Sequence, residues 1–263
     1  MTTPHRWLIV SDLLAGSVVS PVPKGFETAE GVKVHPNRVQ AWMSAQWADM
    51  LKWASTLKPF GLILNGDLIE GYHHRTTQVW SVETSDHVRA AVELLQPLCE
   101  YAQTVYVVEG TECHVGKAEL GMAAMLGADM PPRGGWGSSA SRMLLDIHGD
   151  RVVVTHHMPT SKRPWTRASA LGLELIDHVV NAADAGEKSP RVVCMGHRHT
   201  PGFYSDGDRL AVVTPAWQGL TRYGHKVVPA ARLVVGAMLL DWTHARGGQC
   251  PGVTPWLRRP PAG

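Results

Sequence analysis

The chain reads as an α/β protein. Short apolar runs alternate with longer amphipathic stretches: residues 7–10, 60–64 and 105–108 are continuous apolar segments separated by helical patterns. Such runs lack the in-out alternation of a half-solvated strand, as expected for strands covered on both faces. With 263 residues, 44% of them apolar and 18% charged, the chain has the material for a sizeable core.

Taken in order, Trp7 to Val10 predicts a buried strand, and the Gly-, Pro- and Ser-rich residues 14–36 predict a loop over the sheet edge. Asn37 is a natural cap for a helix running to about Leu57, which places Val39, Trp42, Met43, Trp47, Met50, Leu51 and Ala54 on one face. Phe60 to Leu64 predicts a second strand, residues 71–80 a polar loop, Ser81 to about Ala102 a second helix, and Val105 to Val108 a third strand. This β-α-β-α-β order predicts a parallel sheet with covering helices. Residues 115–126 predict a further helix and 129–139 a loop. Ser141 to His148 and Arg151 to Thr155 alternate around Gly149-Asp150, a hairpin signal. Trp165 to about Ala183 predicts a third long helix. Strands follow at Arg191 to Met195, Arg209 to Thr214 and Val227 to Trp242, and a tail is expected from Arg246 on. A single domain over residues 1–245 with a tail over 246–263 is the expectation, with no linker and no repeat.

The chemistry gathers where strands end. Asp12 follows the first strand and Asp67 the second; Glu112 and His114 follow the third. His156-His157 and Gly196-His197-Arg198-His199 close two later ones. In parallel sheets ligands bind outside the carboxyl ends of strands. Mixed carboxylates and imidazoles suit Mn²⁺, Fe or Zn²⁺. Six or seven such groups exceed one tetrahedral site but would serve two ions roughly 3.5–4 Å apart sharing one carboxylate. Such a pair binds phosphate oxygens and activates water, so hydrolysis of a phosphate ester is the expected reaction.

In these residues the chain resembles the calcineurin-like metallophosphoesterases, whose blocks run D-x-H-x-G, G-D, G-N-H-D/E, a histidine, and G-H-x-H. Asp12-Leu13-Leu14-Ala15-Gly16 matches the first block except for Leu14. Gly66-Asp67 matches the second, and Gly110-Thr111-Glu112-Cys113-His114 stands at the third. His156 or His157 supplies the fourth, and Gly196-His197-Arg198-His199 is an intact fifth. The resemblance spans residues 6 to about 200. It implies a β-sandwich flanked by α-helices with the metal site at the strand C-terminal ends. It also implies two divalent ions, Mn²⁺ foremost, with Fe, Zn²⁺ or Ni²⁺ as alternatives, and hydrolysis of a phosphomonoester or phosphodiester by a hydroxide formed on them. Asp12, Asp67, Glu112, His156, His157, His197 and His199 are the implied ligands, with Asp67 bridging. His114 is the implied acid for the leaving group.

Leu14 cannot ligate a metal, and His73 and His74 are the nearest substitutes in sequence. Together with Arg75, which can fork onto phosphate, they are the expected substrate contacts. Loss of the first-block histidine also supports a rival reading, a catalytically degenerate binding or scaffold protein with this fold. The ten tryptophans read as core rather than as base-stacking platforms.

A net charge of +2 with no dense Lys/Arg run gives no nucleic-acid footprint, and nucleotide, nucleic acid and phosphoprotein all stay open as substrates. Cys99, Cys113, Cys194 and Cys250 form no C-x-x-C pair, which argues against zinc ribbons and for reduced thiols. No window approaches the roughly 20 apolar residues that span a bilayer, and no secretory h-region opens the chain. A cytoplasmic protein with no membrane partner is expected.

Overall fold

A computed structural model describes residues 3–73, 75–132, 139–158, 167–221, 234–245 and 249–260. The first half follows the predicted alternation. Strand β1 (Arg6–Val10) leads to helix α1 (Arg38–Ser55), β2 (Gly61–Asn65), α2 (Thr84–Tyr101) and β3 (Thr104–Val108). Asn37 caps α1 as expected. Its side chain accepts from the Val39 and Gln40 amides while Gln40 reaches back to the Asn37 amide, completing a capping box. The helix predicted over 115–126 is broken: α3 (Glu112–Val115) is a single turn ended at Gly116, and α4 (Ala118–Met125) follows.

The second half contains the short strand β4 (Ser139–Ala140), the hairpin β5 (Arg142–Ile147) and β6 (Asp150–Thr155), helix α5 (Arg167–Asp184), and β7 (Val192–Met195). Then come β8 (Gly202–Ser205), β9 (Leu210–Val213), β10 (Val235–Asp241) and β11 (Gly252–Arg258). Neither β8 nor β11 was expected. Where the sequence suggested a tail, Gly252–Arg258 pairs antiparallel with β10. Pro255 is tolerated because β11 is an edge strand, whose outer side needs no ladder donor. The part of the predicted last strand before residue 234 lies outside the described residues.

The strands form two mixed sheets, ordered β11-β10-β1-β2-β3-β4 and β5-β6-β7-β9-β8. Alternation along each strand sorts side chains into layers. On the first sheet, Leu8, Val10, Leu62, Leu64, Val105 and Val107 pack toward α1, α2 and α4. Trp7, Ile9, Ile63 and Val108 face the other way and meet Val152, Val154, Val192, Cys194, Leu210 and Val212 of the second sheet. On the far side of that sheet, Val153, Val193, Met195, Ala211 and Val213 receive Leu171 and Leu175 of α5. The result is a β-sandwich with helices on both outer faces, the architecture expected.

Tryptophans fill this core. Trp217 is fully buried and meets Trp47 edge-on at 4.7 Å, an arrangement worth about 0.5–1.5 kcal/mol beyond burial. The indole of Trp47 also donates to the Leu94 carbonyl at 3.1 Å, tying α1 to α2. Among the described residues no helix is long and apolar enough to cross a membrane.

Candidate metal centre

Four parallel strands end side by side at one rim of the sandwich: β1 and β2 in one sheet, β6 and β7 in the other. The turns leaving β1, β2 and β7 are sharp. Asp12 (φ 51°), Leu14 (50°), Asp67 (51°), His197 (66°) and His199 (54°) all adopt left-handed backbone, which non-glycine residues seldom do. Such conformations cost of order 1–3 kcal/mol each and persist where surrounding structure over-determines them. Here the loops hold one another. The Asp12 amide donates to the Gly66 carbonyl at 2.9 Å and the Leu14 amide to the Asp67 carbonyl at 3.0 Å.

Both carboxylates are anchored by the protein and turn an oxygen toward the imidazoles. Asp12 Oδ2 accepts from Ser11 Oγ (2.5 Å) and from the His197 amide (3.1 Å). Asp12 Oδ1 is buried without a hydrogen-bond partner and faces His199 Nε2 at 3.3 Å and His156 Nε2 at 3.8 Å. Asp67 Oδ1 accepts the Thr111 amide at 2.6 Å, while Oδ2 lies 3.0 Å from His156 Nε2 and 4.0 Å from His197 Nδ1. His156 is oriented by its other nitrogen, which donates to the Asn65 carbonyl at 2.7 Å. That arrangement aims Nε2 into the cluster, as in metal-binding histidines. Asp67, His156 and His197 bring ligand atoms within 4.8 Å of one another.

The electrostatics match a cation-seeking pocket. Burial alone would raise Asp67 and Asp12, but the imidazoles facing them, His156 beside both and His199 beside Asp12, hold both below the usual carboxylate range. Burial would lower His156, yet the two carboxylates win and push it up to about 9. His199 is likewise raised against its burial, by Asp12 foremost. Burial and the His156 charge lower His197, which stays neutral and able to ligate. In the metal-free protein, the charge on His156 balances the buried acids. Divalent ions can replace that charge.

The donor set fits such ions: two buried atoms without hydrogen-bond partners, Asp12 Oδ1 and His156 Nε2, converge with further carboxylate and imidazole donors. Asp67, His156 and His197 form one group of converging donors, and Asp12 Oδ1 lies beside it, facing His156 and His199. Leu14, at its left-handed position, contributes a buried apolar side chain and no donor.

The other expected residues fall differently. Of the histidine pair, His156 is the inward member. His157 is exposed beside it, its ring 5.4 Å from that of His197, and it is not among the converging donors. Nor is Glu112. As the first residue of α3 it is exposed, and it belongs to neither group of converging donors. Thr111 occupies the position instead, with Oγ1 3.2 Å from Asp67 Oδ2 and 3.3 Å from His197 Nδ1. His114, expected as the leaving-group acid, is drawn into a second cluster with Glu70 and His73. Arg75 is exposed at a left-handed position (φ 53°), and His74 lies outside the described residues.

Two glutamates escaped sequence reasoning. Glu119, fully buried on α4, accepts the Leu68 amide at 2.9 Å and the Gly110 amide at 2.6 Å, clamping the loops that carry Asp67 and Thr111. Burial pushes its carboxyl up to about 8 in spite of these donors. Its signal was a lone charge among the apolar residues of a helix face. Glu70, after Leu68-Ile69, carried the same signal at the end of an apolar run. Two cavities elsewhere, one lined by Phe26, Arg89 and Met125 and one by Trp7, Tyr106 and Leu144, include no residue of either donor cluster.

No family model matches the chain, and no curated protein does. Solved structures do align over most of it. A novel archaeal phosphodiesterase aligns at 10% identity over 95% of this chain and 99% of its own, with a TM-score of 0.47. Vps29 of Entamoeba histolytica in complex with zinc does so at 12% identity, over 95% and 98%, with a TM-score of 0.44. A predicted phosphoesterase of Streptococcus pneumoniae TIGR4 aligns at 11% identity over 98% and 100%, with a TM-score of 0.36. Likenesses this distant assign neither family nor activity to the chain.

Proposed function

We propose that the chain is a calcineurin-like metallophosphoesterase that hydrolyses a phosphomonoester or phosphodiester in the cytoplasm. The observation that carries this reading is the convergence of Asp12 Oδ1 and His156 Nε2, buried and without hydrogen-bond partners, on a rim already holding Asp67, His197 and His199. The four free thiols accord with a reducing compartment.

Asp12, Asp67 and His199 would hold one divalent ion, and Asp67, His156 and His197 the other, Mn²⁺ being the first choice. When bound, the ions supply Lewis acidity and a nucleophile at neutral pH. The chain's own residues do the rest. Asn65 and Thr111 fix the orientation of His156 and Asp67, and Glu119 fixes the spacing of their loops. The exposed His157, beside His197, would protonate a leaving oxygen. Arg75 is a surface cation available to a phosphate arriving from solvent.

Leu14 supports a second reading, in which the rim binds a metal but does not turn over. Hydrolysis of p-nitrophenyl phosphate and bis(p-nitrophenyl) phosphate with Mn²⁺, for wild type and Asp67→Asn, separates the two. Turnover lost in the variant supports the enzyme. Bound metal without turnover in either protein supports the binding reading. Neither metal nor turnover overturns both.

A further inference from the structure

A second group of donors lies beside the first and shares no residue with it. Glu70, His73 and His114 place ligand atoms within 4.8 Å of one another. We propose that these three residues bind one further divalent cation of the zinc class, separately from the rim of Asp12, Asp67, His156, His197 and His199.

The geometry is that of a built site. His73 Nε2 lies 3.3 Å from Glu70 Oε1, and the rings of His73 and His114 meet edge-on at 4.4 Å. His114 Nδ1 donates to the Glu70 carbonyl at 2.9 Å, which leaves Nε2 with the lone pair a metal requires. The Glu70 side chain is held as well. Its Oε2 accepts from Gln218 Nε2, which also donates to Ser17 Oγ at 3.1 Å. The Glu70 amide donates to the Ala15 carbonyl at 2.9 Å. A metal-ligating carboxylate is characteristically oriented in this way by neighbours that do not touch the ion.

The backbone is arranged to bring the three residues together. They come from two segments, the loop after β2 and the turn α3 after β3. Gly71 lies between Glu70 and His73 with φ 66°, and a Cβ there would stand 2.0 Å from the His114 carbonyl oxygen. Only glycine lets the segments close this far.

Charge supplies the motive. Glu70 is 4% exposed, and among the described residues its one ion-pair partner is His73. A buried carboxylate needs a compensating charge. Two imidazoles and one carboxylate are the ligands of zinc sites that leave a fourth position open to water or substrate. Ca²⁺ and Mg²⁺, which take all-oxygen shells, are excluded by the donors.

The test is a metal count on the full chain, freed of metal with chelator and equilibrated with Zn²⁺, read by elemental analysis and by calorimetric titration. His73→Ala and the milder His73→Gln should each lose one equivalent relative to wild type, while Asp67→Asn keeps that equivalent and loses zinc only from the rim. Zinc content unchanged in both His73 variants overturns the proposal even if the rim is active. Loss confined to the His73 variants upholds it even if the rim proves inert. A wild-type protein that takes up no zinc overturns it too. Circular dichroism of the variants confirms that a lost equivalent is a lost site rather than a lost fold.

Discussion

Gly110 is the tightest point of the rim, and Gly110→Ala tests whether its spacing matters. A Cβ there would stand 2.2 Å from the Asp67 amide nitrogen, 2.3 Å from Asp67 Oδ1 and 2.9 Å from Asp67 Cα. Ordinary contact for a Cβ begins near 3.4 Å, so Asp67 and the Thr111 segment must separate by about 1 Å. Backbone is in the way on both sides, so no flexible side chain can absorb the clash. The separation breaks the 2.6 Å bond from the Thr111 amide to Asp67 Oδ1 and strains the 2.6 Å bond from the Gly110 amide to Glu119. Misplacement by about 1 Å typically costs about 10²-fold in turnover. Overpacking costs about 1–3 kcal/mol, or a melting temperature lower by roughly 2–12 °C for a chain of this size. The assay is Mn²⁺-dependent hydrolysis of bis(p-nitrophenyl) phosphate with a thermal melt. Gly121→Ala is the control. Gly121 is exposed in α4 with nothing within 4 Å of its added Cβ, and alanine there should leave activity intact and add up to about 1 kcal/mol. A Gly110→Ala protein with wild-type turnover and metal content would refute the idea that Asp67 is held in place by this contact.

Two further outcomes follow from the buried charges. His156, normally near 6.5, is pushed up to about 9 in the metal-free protein. The stability this proton confers is complete below pH 6.5 and is lost as pH rises through 9, with a slope of at most about 1.4 kcal/mol per pH unit. Chelator-treated protein should therefore melt at lower temperature at pH 9.5 than at pH 7, and His156→Gln should flatten that dependence; equal slopes in the two proteins would contradict it. Glu119→Ala strands the Leu68 and Gly110 amides without acceptors, at about 1–3 kcal/mol each, and should lower the melting temperature and the metal content together. A melt indistinguishable from wild type would show that the clamp is dispensable.

Much of the architecture was legible because its strands are buried on both faces and its helices on one. Continuous runs such as Leu62-Ile63-Leu64 and the apolar face through Met43, Trp47 and Met50 leave little choice of structure. The strand-end cluster was legible for a related reason: Asp12, Asp67, His197 and His199 are polar residues placed abruptly after apolar runs. What escaped were elements specified by their neighbours. Phe203 and Tyr204 in β8 are exposed and show no inward face; that strand is held by its pairing with β9. In β11, the turn-forming look of Gly252 and Pro255 outweighed Val253, Trp256 and Leu257. Glu112 stays outside the donor cluster; spacing in sequence does not say which side of a one-turn helix faces inward. Thr111, one residue earlier, contacts Asp67 through both its amide and its hydroxyl.

The rim draws its acids from one sheet and its imidazoles from the other, and this has a consequence during synthesis. The His197 amide that bonds Asp12 lies 185 residues further along the chain. At about 5–20 residues per second, roughly 10–40 s pass between the emergence of the two. Until His156 and then His197 and His199 emerge, Asp12 and Asp67 are carboxylates without the imidazoles that balance them, which disfavours early burial of the strand ends that carry them. The two sheets thus have an electrostatic reason to close together, late, once the Gly196-His197-Arg198-His199 turn has been made.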